Sequence, residues 1–149
     1  MFRSIVVGTD GSETAGKAVE AAVELAKMCD AQLHIVSAYE PVPKGRLREE
    51  ARQAPDDLQW TISAREDVEA TLAEAAEVAA EVAEGVEVET FARQGDPADA
   101  ILDVAEERGS DLIVVGNKGM TGAKRFLLGS VPNKVSHHAP CSVLVVRTT

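Results

Sequence analysis

The chain reads as one α/β domain spanning residues 1–149, a doubly wound parallel sheet of five strands with helices on both faces. Three observations carry that expectation. Short continuous apolar runs recur at Ile5-Val6-Val7, Leu112-Ile113-Val114-Val115 and Val143-Leu144-Val145-Val146, and the first two read as strands covered on both sides. Helical stripes alternate with the strands, in the order β-α-β-(loop)-α-β-α-β-α-β. Two strands also stop at glycines that lead into helices, in Val6-Val7-Gly8-x-x-Gly11 and Val114-Val115-Gly116-x-x-Gly119.

The first strand ends in Gly8-Thr9-Asp10-Gly11-Ser12, where Ser12 is placed to cap a helix from Glu13 to about Cys29. Ala15, Ala18, Val19, Ala22, Leu25, Ala26 and Cys29 fall on one stripe of that helix. Leu33–Tyr39 is the second strand, in which His34 reads as a packed or edge histidine rather than a catalyst. Glu40 to Gln59 holds Pro41, Pro43, Gly45 and Pro55 and reads as a loop, with one turn of helix around Leu47 to Arg52. Its length suggests a lid or partner surface, anchored by Trp60. Ser63 to Glu84 is an Ala-rich helix burying Val68, Leu72, Ala75, Ala79 and Val82, with solvated glutamates opposite. Val86 to Phe91 alternates, as a strand wet on one face or lying at an edge does. Asp96 then caps a helix with Pro97 in its first turn, Ile101, Leu102, Val104 and Ala105 facing inward, and Gly109 ending it. After the glycine loop come a short helix, Ser130 to His138, and the last strand, Ser142 to Val146.

Composition narrows the function classes. Apolar residues make up 45%, charged residues 27% and aromatics 3%, which is globular, and no run approaches a membrane helix in length. The strand beginning almost at Met1 leaves no room for a signal peptide, so the expected location is the cytoplasm. Cys29 and Cys141, far apart and without a CxxC, read as ordinary reduced thiols. His137, His138 and Cys141 make no metal site, because Ala139-Pro140 breaks the helix between them and no third ligand is evident. The net charge of −10 argues against nucleic acid, but the distribution of charge says more. All 25 acids lie at or before Asp111, whereas Lys118, Lys124, Arg125, Lys134 and Arg147 follow it. A basic tail concentrated on the glycine loop suits a small anionic ligand; chance with helix-dipole placement is the alternative.

The glycine loop carries the sharpest signal. Neither GxGxxG nor GxxxxGK[ST] is present; the pattern is strand, Gly116-x2-Gly119-x9-Gly129-Ser130, helix, with Ser130 as the cap. Glycines let backbone approach an anion, and the free N–H groups of a helix start point at it. The plainer alternative is a tight strand-to-helix connection. Three glycines and a serine at this spacing resemble the nucleotide-binding motif of the universal stress protein family, in its ATP-binding branch, and the similarity runs from Ile5–Ser12 to Val143–Val146.

That resemblance implies the strand order 3-2-1-4-5, which sets the loops at 8–12 and 116–130 across one crevice where strand order reverses. It implies that Gly8 and Thr9 border the site and that Asp10 lies beside the ribose. Ala38, two residues before the acidic strand end at Glu40, offers main-chain hydrogen bonds to adenine, and Val115 lines the base. Gly116, Lys118, Gly119, Gly129, Ser130 and Val131 hold phosphates and sugar. From its residue type alone, Asp10 also suits a helix cap or a metal ligand, though Ser12 is the better-placed cap. The expected ligand is ATP, with or without Mg. Because Pro132 lacks an N–H donor, AMP and cyclic AMP stand as alternatives.

The expected function is therefore a nucleotide-binding regulatory protein of the stress response. No catalytic residue stands out, so slow ATP hydrolysis or autophosphorylation is the most that is expected of it as an enzyme. A nucleotide-independent interaction protein is the remaining class. The order 3-2-1-4-5 also leaves the wholly apolar last strand at an edge, which predicts a homodimer through Ser142 to Val146.

Overall fold

The computed structural model describes residues 1–40, 54–117 and 128–148, with side chains from residue 62 onward in the second stretch. The chain runs β1 (Ser4–Gly8), α1 (Glu13–Cys29), β2 (Gln32–Tyr39), α2 (Ala54–Val82), β3 (Val88–Gln94), α3 (Pro97–Glu107), β4 (Leu112–Gly116), α4 (Ser130–His138) and β5 (Ser142–Val146). Every strand pair is parallel, and the sheet order is β3-β2-β1-β4-β5, as expected.

Alternation along the strands divides the core into two layers. Ile5, Val7, Leu33, Ile35, Leu112 and Val114 point to one face, where Val19, Ala22 and Val23 of α1 and Leu72 and Ala79 of α2 cover them. Val6, Val36, Ile113 and Val115 point to the other, against Ile101 and Val104 of α3 and Val135 of α4. Two helices on each face bury Ile5, Val6 and Val7 of β1 and Leu112 to Val115 of β4, which is why these two strands read as unbroken apolar runs.

Helix boundaries follow their caps. Ser12 Oγ accepts the Ala15 N–H at 3.1 Å to start α1, and Asp96 Oδ2 accepts the Asp99 N–H at 3.1 Å to start α3, with Pro97 in its first turn. Gly11, at φ +82°, turns the chain from β1 toward α1 in a conformation that few side chains tolerate. Gly16 is different: it sits inside α1, and a Cβ there would meet nothing within 4 Å. Gly16→Ala is therefore expected to stabilise the fold by about 0.5–1 kcal/mol, seen as a higher urea midpoint with unchanged slope. An unchanged or lower midpoint would contradict it.

Three expectations need correction. Helix α2 begins at Ala54, so residues 54–59 are helical rather than loop; Pro55, read as a breaker, lies in the first turn, where its missing N–H would be unbonded anyway. Residues 41–53, including the expected helical turn at Leu47 to Arg52, and the side chain of Trp60 lie outside the described residues. Val82 is 37% exposed rather than buried, since the inward stripe passes from Ala79 to Ala83 and leaves Val82 beside it. Strand β3 starts and ends later than Val86 to Phe91, because its ladder with β2 runs on to Tyr39↔Gln94 through polar residues. It does lie at a sheet edge, with only Phe91 buried. Among the described residues no helix is long and apolar enough to cross a membrane. Cys29 and Cys141 are both free thiols.

His34 is indeed packed: it is 3% exposed, with Nε2 3.1 Å from Ser4 Oγ, which in turn lies 3.0 Å from Ser110 Oγ. Its Nδ1 has no hydrogen-bond partner among the described residues and lies 3.7 Å from Glu89 Oε2. Burial holds the imidazole below its ordinary value, opposed by Glu89 and reinforced by Arg108. The unfolded chain then binds more protons at this site than the native one, so stability is complete above the unfolded pKa of about 6.5 and is lost as pH falls through the lower native value. Urea midpoints at pH 7.5 and 5.5 are expected to fall less between the two in His34→Leu than in the parent. Equal falls would remove His34 as the cause.

Candidate functional site

The carboxyl ends of β1 and β4 diverge at the centre of the sheet, where strand order reverses, and a cavity of about 140 Å³ opens there on the α3–α4 face. A mostly apolar cavity of about 150 Å³ takes one aromatic ring. Gly8, Thr9 and Asp10 come to it from the end of β1, Val36 and Ala38 from β2, and Val115 and Gly116 from β4. Pro97 and Ile101 of α3 form another wall, Val131 and Pro132 of α4 the next, and Ala15 of α1 lies at the rim.

The backbone at Ala38 gives the apolar slot a polar edge. Thr9 N–H donates to Val36 O at 2.9 Å, so Val36 faces β1; Gly95 N–H donates to Tyr39 O at 2.8 Å, so Tyr39 faces the other way. Ladder alternation turns the N–H and C=O of Ala38 toward the β1 side, beyond Gly8, the last residue of that strand. The chain has already left the sheet at Asp10, so among the described residues neither group has a ladder partner on that side. A donor and an acceptor stand side by side at the wall of a flat slot.

The β1 turn is built by short hydrogen bonds. Asp10 Oδ1 accepts the Ser12 N–H at 2.9 Å, and Thr9 Oγ1 accepts the Gly11 N–H at 3.1 Å. Asp10 is thus not the helix cap, a part that Ser12 plays. It is an exposed carboxylate at the cavity mouth with one oxygen engaged in the turn.

Helix α4 differs from α1 and α3 at its start. Its N-cap is Gly129, with no side-chain cap bond, and no acid lies in its first turn. Ser130 is therefore not the cap, as its position after the glycine suggested, but the first helical residue, with its side chain exposed. The first helical bond is Asn133 N–H to Gly129 O at 3.1 Å, and Gly129 N–H donates to Asn117 O at 2.9 Å. The N–H groups of Ser130 and Val131 precede any intrahelical partner, and Pro132 has none to give. Two uncapped donors and the positive end of the helix dipole thus lie beside the slot.

Of the residues singled out from sequence, Gly8, Thr9, Asp10, Ala38, Val115, Gly116 and Val131 all line this one cavity, while Gly129 and Ser130 stand at its α4 edge. Lys118 and Gly119, with Gly122, Lys124 and Arg125, lie outside the described residues. Lys134 is committed elsewhere, bridging to Asp96 at 3.3 Å and Asp99 at 2.9 Å and so tying α4 to α3. Burial opposes ionisation of Asp96, but the Asp99 N–H and the Lys134 ammonium outweigh it and hold the carboxyl low. That lysine belongs to the scaffold rather than to the supply of positive charge for a ligand.

Sequence reasoning did not find Ala15, Val36, Pro97 or Ile101 as lining residues, since each had a sufficient reading as core or helix start. The available signal was positional: α3 packs across the ends of β1 and β2, so its first turn must border the crevice. Among the described residues no group of three His, Cys, Asp or Glu could hold a metal ion.

Comparison with known proteins agrees with this geometry. Residues 1–147 match the model of the universal stress protein family. The chain is 39% identical over 148 residues to universal stress protein YxiE of Bacillus subtilis (strain 168), covering 99% of this chain and 100% of that protein. The crystal structure of a universal stress protein in complex with cAMP superposes with a TM-score of 0.74 at 33% identity, over 99% of both chains. The universal stress protein from Archaeoglobus fulgidus in complex with dAMP superposes with a TM-score of 0.68 at 26% identity, over 97% of this chain and 98% of that one.

Proposed function

The chain belongs to the universal stress protein family, and from that premise we propose that it binds an adenine nucleotide, ATP in the first instance, as a regulatory protein of the stress response. The observation that carries this reading is the ring-sized apolar slot with the Ala38 N–H and C=O, without a ladder partner among the described residues, at its edge. A base lying between Val36, Ile101 and Val115 offers an acceptor and a donor on one edge if it is adenine, which the Ala38 N–H and C=O complement. Gly8 and Thr9 close the slot from the first loop, and Asp10 accepts from the ribose hydroxyls through its second oxygen. Gly116, Gly129, Ser130 and Val131 take the sugar and phosphates, with Lys118 and Gly119 completing the cradle and Mg accompanying a triphosphate. No residue is assigned to chemistry, so turnover is at most slow hydrolysis or autophosphorylation.

A second reading, AMP or cyclic AMP in place of ATP, is favoured by Pro132 in the cavity wall, which removes one phosphate donor. Two relatives are in complex with nucleotides of a single phosphate, one with cAMP and one with dAMP. Strand β5 is an outer strand with Leu144 38% exposed, which supports a homodimer formed through Ser142–Val146. Light scattering is expected to give a dimer mass; a monomer mass independent of concentration removes the dimer.

The test is to denature freshly purified protein and chromatograph the released small molecules. An adenine nucleotide in near-equimolar yield is expected, and its phosphate count decides between the two readings. If none is released, competition titration with ATP, AMP, cyclic AMP and GTP follows. Failure to prefer adenine overturns both.

A further inference from the structure

We infer that Asn117 is a positioning residue for the phosphate-facing side of the pocket, holding the start of α4 in register with the end of β4 by pinning both to the chain that follows β5. The inference rests on the nucleotide reading above. Asn117 lies directly after β4 and is 8% exposed, unusually buried for an amide side chain in a connection. Its backbone N–H donates to Val146 O at 2.9 Å, and its backbone C=O accepts the Gly129 N–H at 2.9 Å. Its side-chain Oδ1 accepts twice, from Thr148 N–H at 2.8 Å and from Thr148 Oγ1 at 3.0 Å. Thr148 is itself 4% exposed, and Lys17 Nζ reaches its carbonyl at 3.4 Å.

These bonds have a geometric consequence. The segment between Gly116 and Gly129 leaves and returns at one residue, because the Asn117 C=O to Gly129 N–H bond joins its two ends. Gly129 is the N-cap of α4, so the direction of the Ser130 and Val131 N–H groups depends on where that carbonyl points. The carbonyl cannot turn while Oδ1 holds two donors on Thr148. Asn117 is not among the residues that line the slot, so its influence falls on the phosphate side and spares the base side. Removing the side chain also leaves two buried donors on Thr148 without their acceptor.

The experiment compares adenosine with AMP by calorimetry in the parent, Asn117→Ala and Thr148→Val, alongside amide hydrogen exchange at Gly129. Thr148→Val removes one of the two donors and leaves the backbone bond, so it serves if Asn117→Ala fails to fold. The expected result is that Asn117→Ala weakens AMP by about tenfold or more while adenosine changes by less than about threefold. Thr148→Val should show a smaller loss of the same kind, and Gly129 should lose exchange protection in both. Equal weakening of adenosine and AMP would mean general loosening and would overturn the inference. So would unchanged AMP affinity or unchanged Gly129 protection in a folded variant. If the parent binds no adenine compound, the nucleotide reading fails, and Gly129 protection alone then decides whether Asn117 holds the α4 start.

Discussion

Gly8→Ala is expected to destabilise the protein by about 1–3 kcal/mol and to deform the pocket at the same time. A Cβ at position 8 would stand 2.4 Å from Ile101 Cδ1 and 3.0 Å from its Cγ1. The end of a side chain can often swing away from such a clash. Ile101 has one way out: β-branching on a helix holds its χ1, and it is 3% exposed in the cluster with Val36, Val104 and Val115, so Cδ1 yields only by turning into the pocket it lines. The melting temperature should fall by roughly 2–4 °C for each kcal/mol lost. Ile101→Val removes the methyl that clashes and alone costs about 0.5–1.5 kcal/mol. Combined with Gly8→Ala it should cost clearly less than the sum of the two, since the valine makes room for the new methyl. An additive double-mutant cycle would show that the contact is not what requires glycine there.

Ala38→Leu is expected to leave the fold standing and to abolish ligand binding in practical terms, lowering adenine-nucleotide affinity about a hundredfold or more, equivalent to ~2.7 kcal/mol. The Ala38 side chain borders the slot on the α3–α4 face, so a leucine grows into empty space rather than into the core. The cavity, about 140 Å³, has no room for both an isobutyl group and a base. Filling a void with apolar atoms should hold the melting temperature of the ligand-free protein level or raise it. Calorimetry with AMP and ATP reads the affinity, and a thermal melt without ligand reads the fold. Parent-like binding in the leucine variant would dissociate this slot from the base site.

Both predictions turn on residues whose importance was unequally visible in the sequence. Periodicity made the fold legible: unbroken apolar runs marked β1, β4 and β5, alternation marked β3 as an edge, and Ser12 and Asp96 announced their helices through cap chemistry. The glycine-ended strands β1 and β4 located the crevice. What escaped was whatever depends on tertiary partners. Ile101 and Pro97 look like any inward helix face and any helix start until α3 is seen lying across the end of β1. Lys134 counted as free positive charge because nothing local shows that α3 brings Asp96 and Asp99 to it. The early start of α2 was hidden by Pro55, since a proline looks alike in a loop and in a helical first turn. Ser130 looked like a cap because serine usually is one, whereas the backbone gives that place to Gly129.

The order of the strands also bears on how the protein comes to exist. The central ladder joins Ile5 to Leu112 and Val7 to Val114, so the first strand made must wait for the fourth before its second neighbour arrives. The cavity asks for more still, drawing walls from the end of β1 and from Val131 and Pro132 near the end of the chain. Such non-local closure makes folding slow compared with a helical bundle of similar size. A nascent chain emerging from the ribosome can form α1 and the β1–β2 pair early, yet it has no ligand-binding competence until α4 has followed. A ligand held by walls so far apart in sequence acts only on the finished molecule, and shifts the whole folding equilibrium by RT ln(1 + [L]/Kd). Cellular ligand concentration would then govern how long each completed molecule survives proteolysis, as well as whether its pocket is filled.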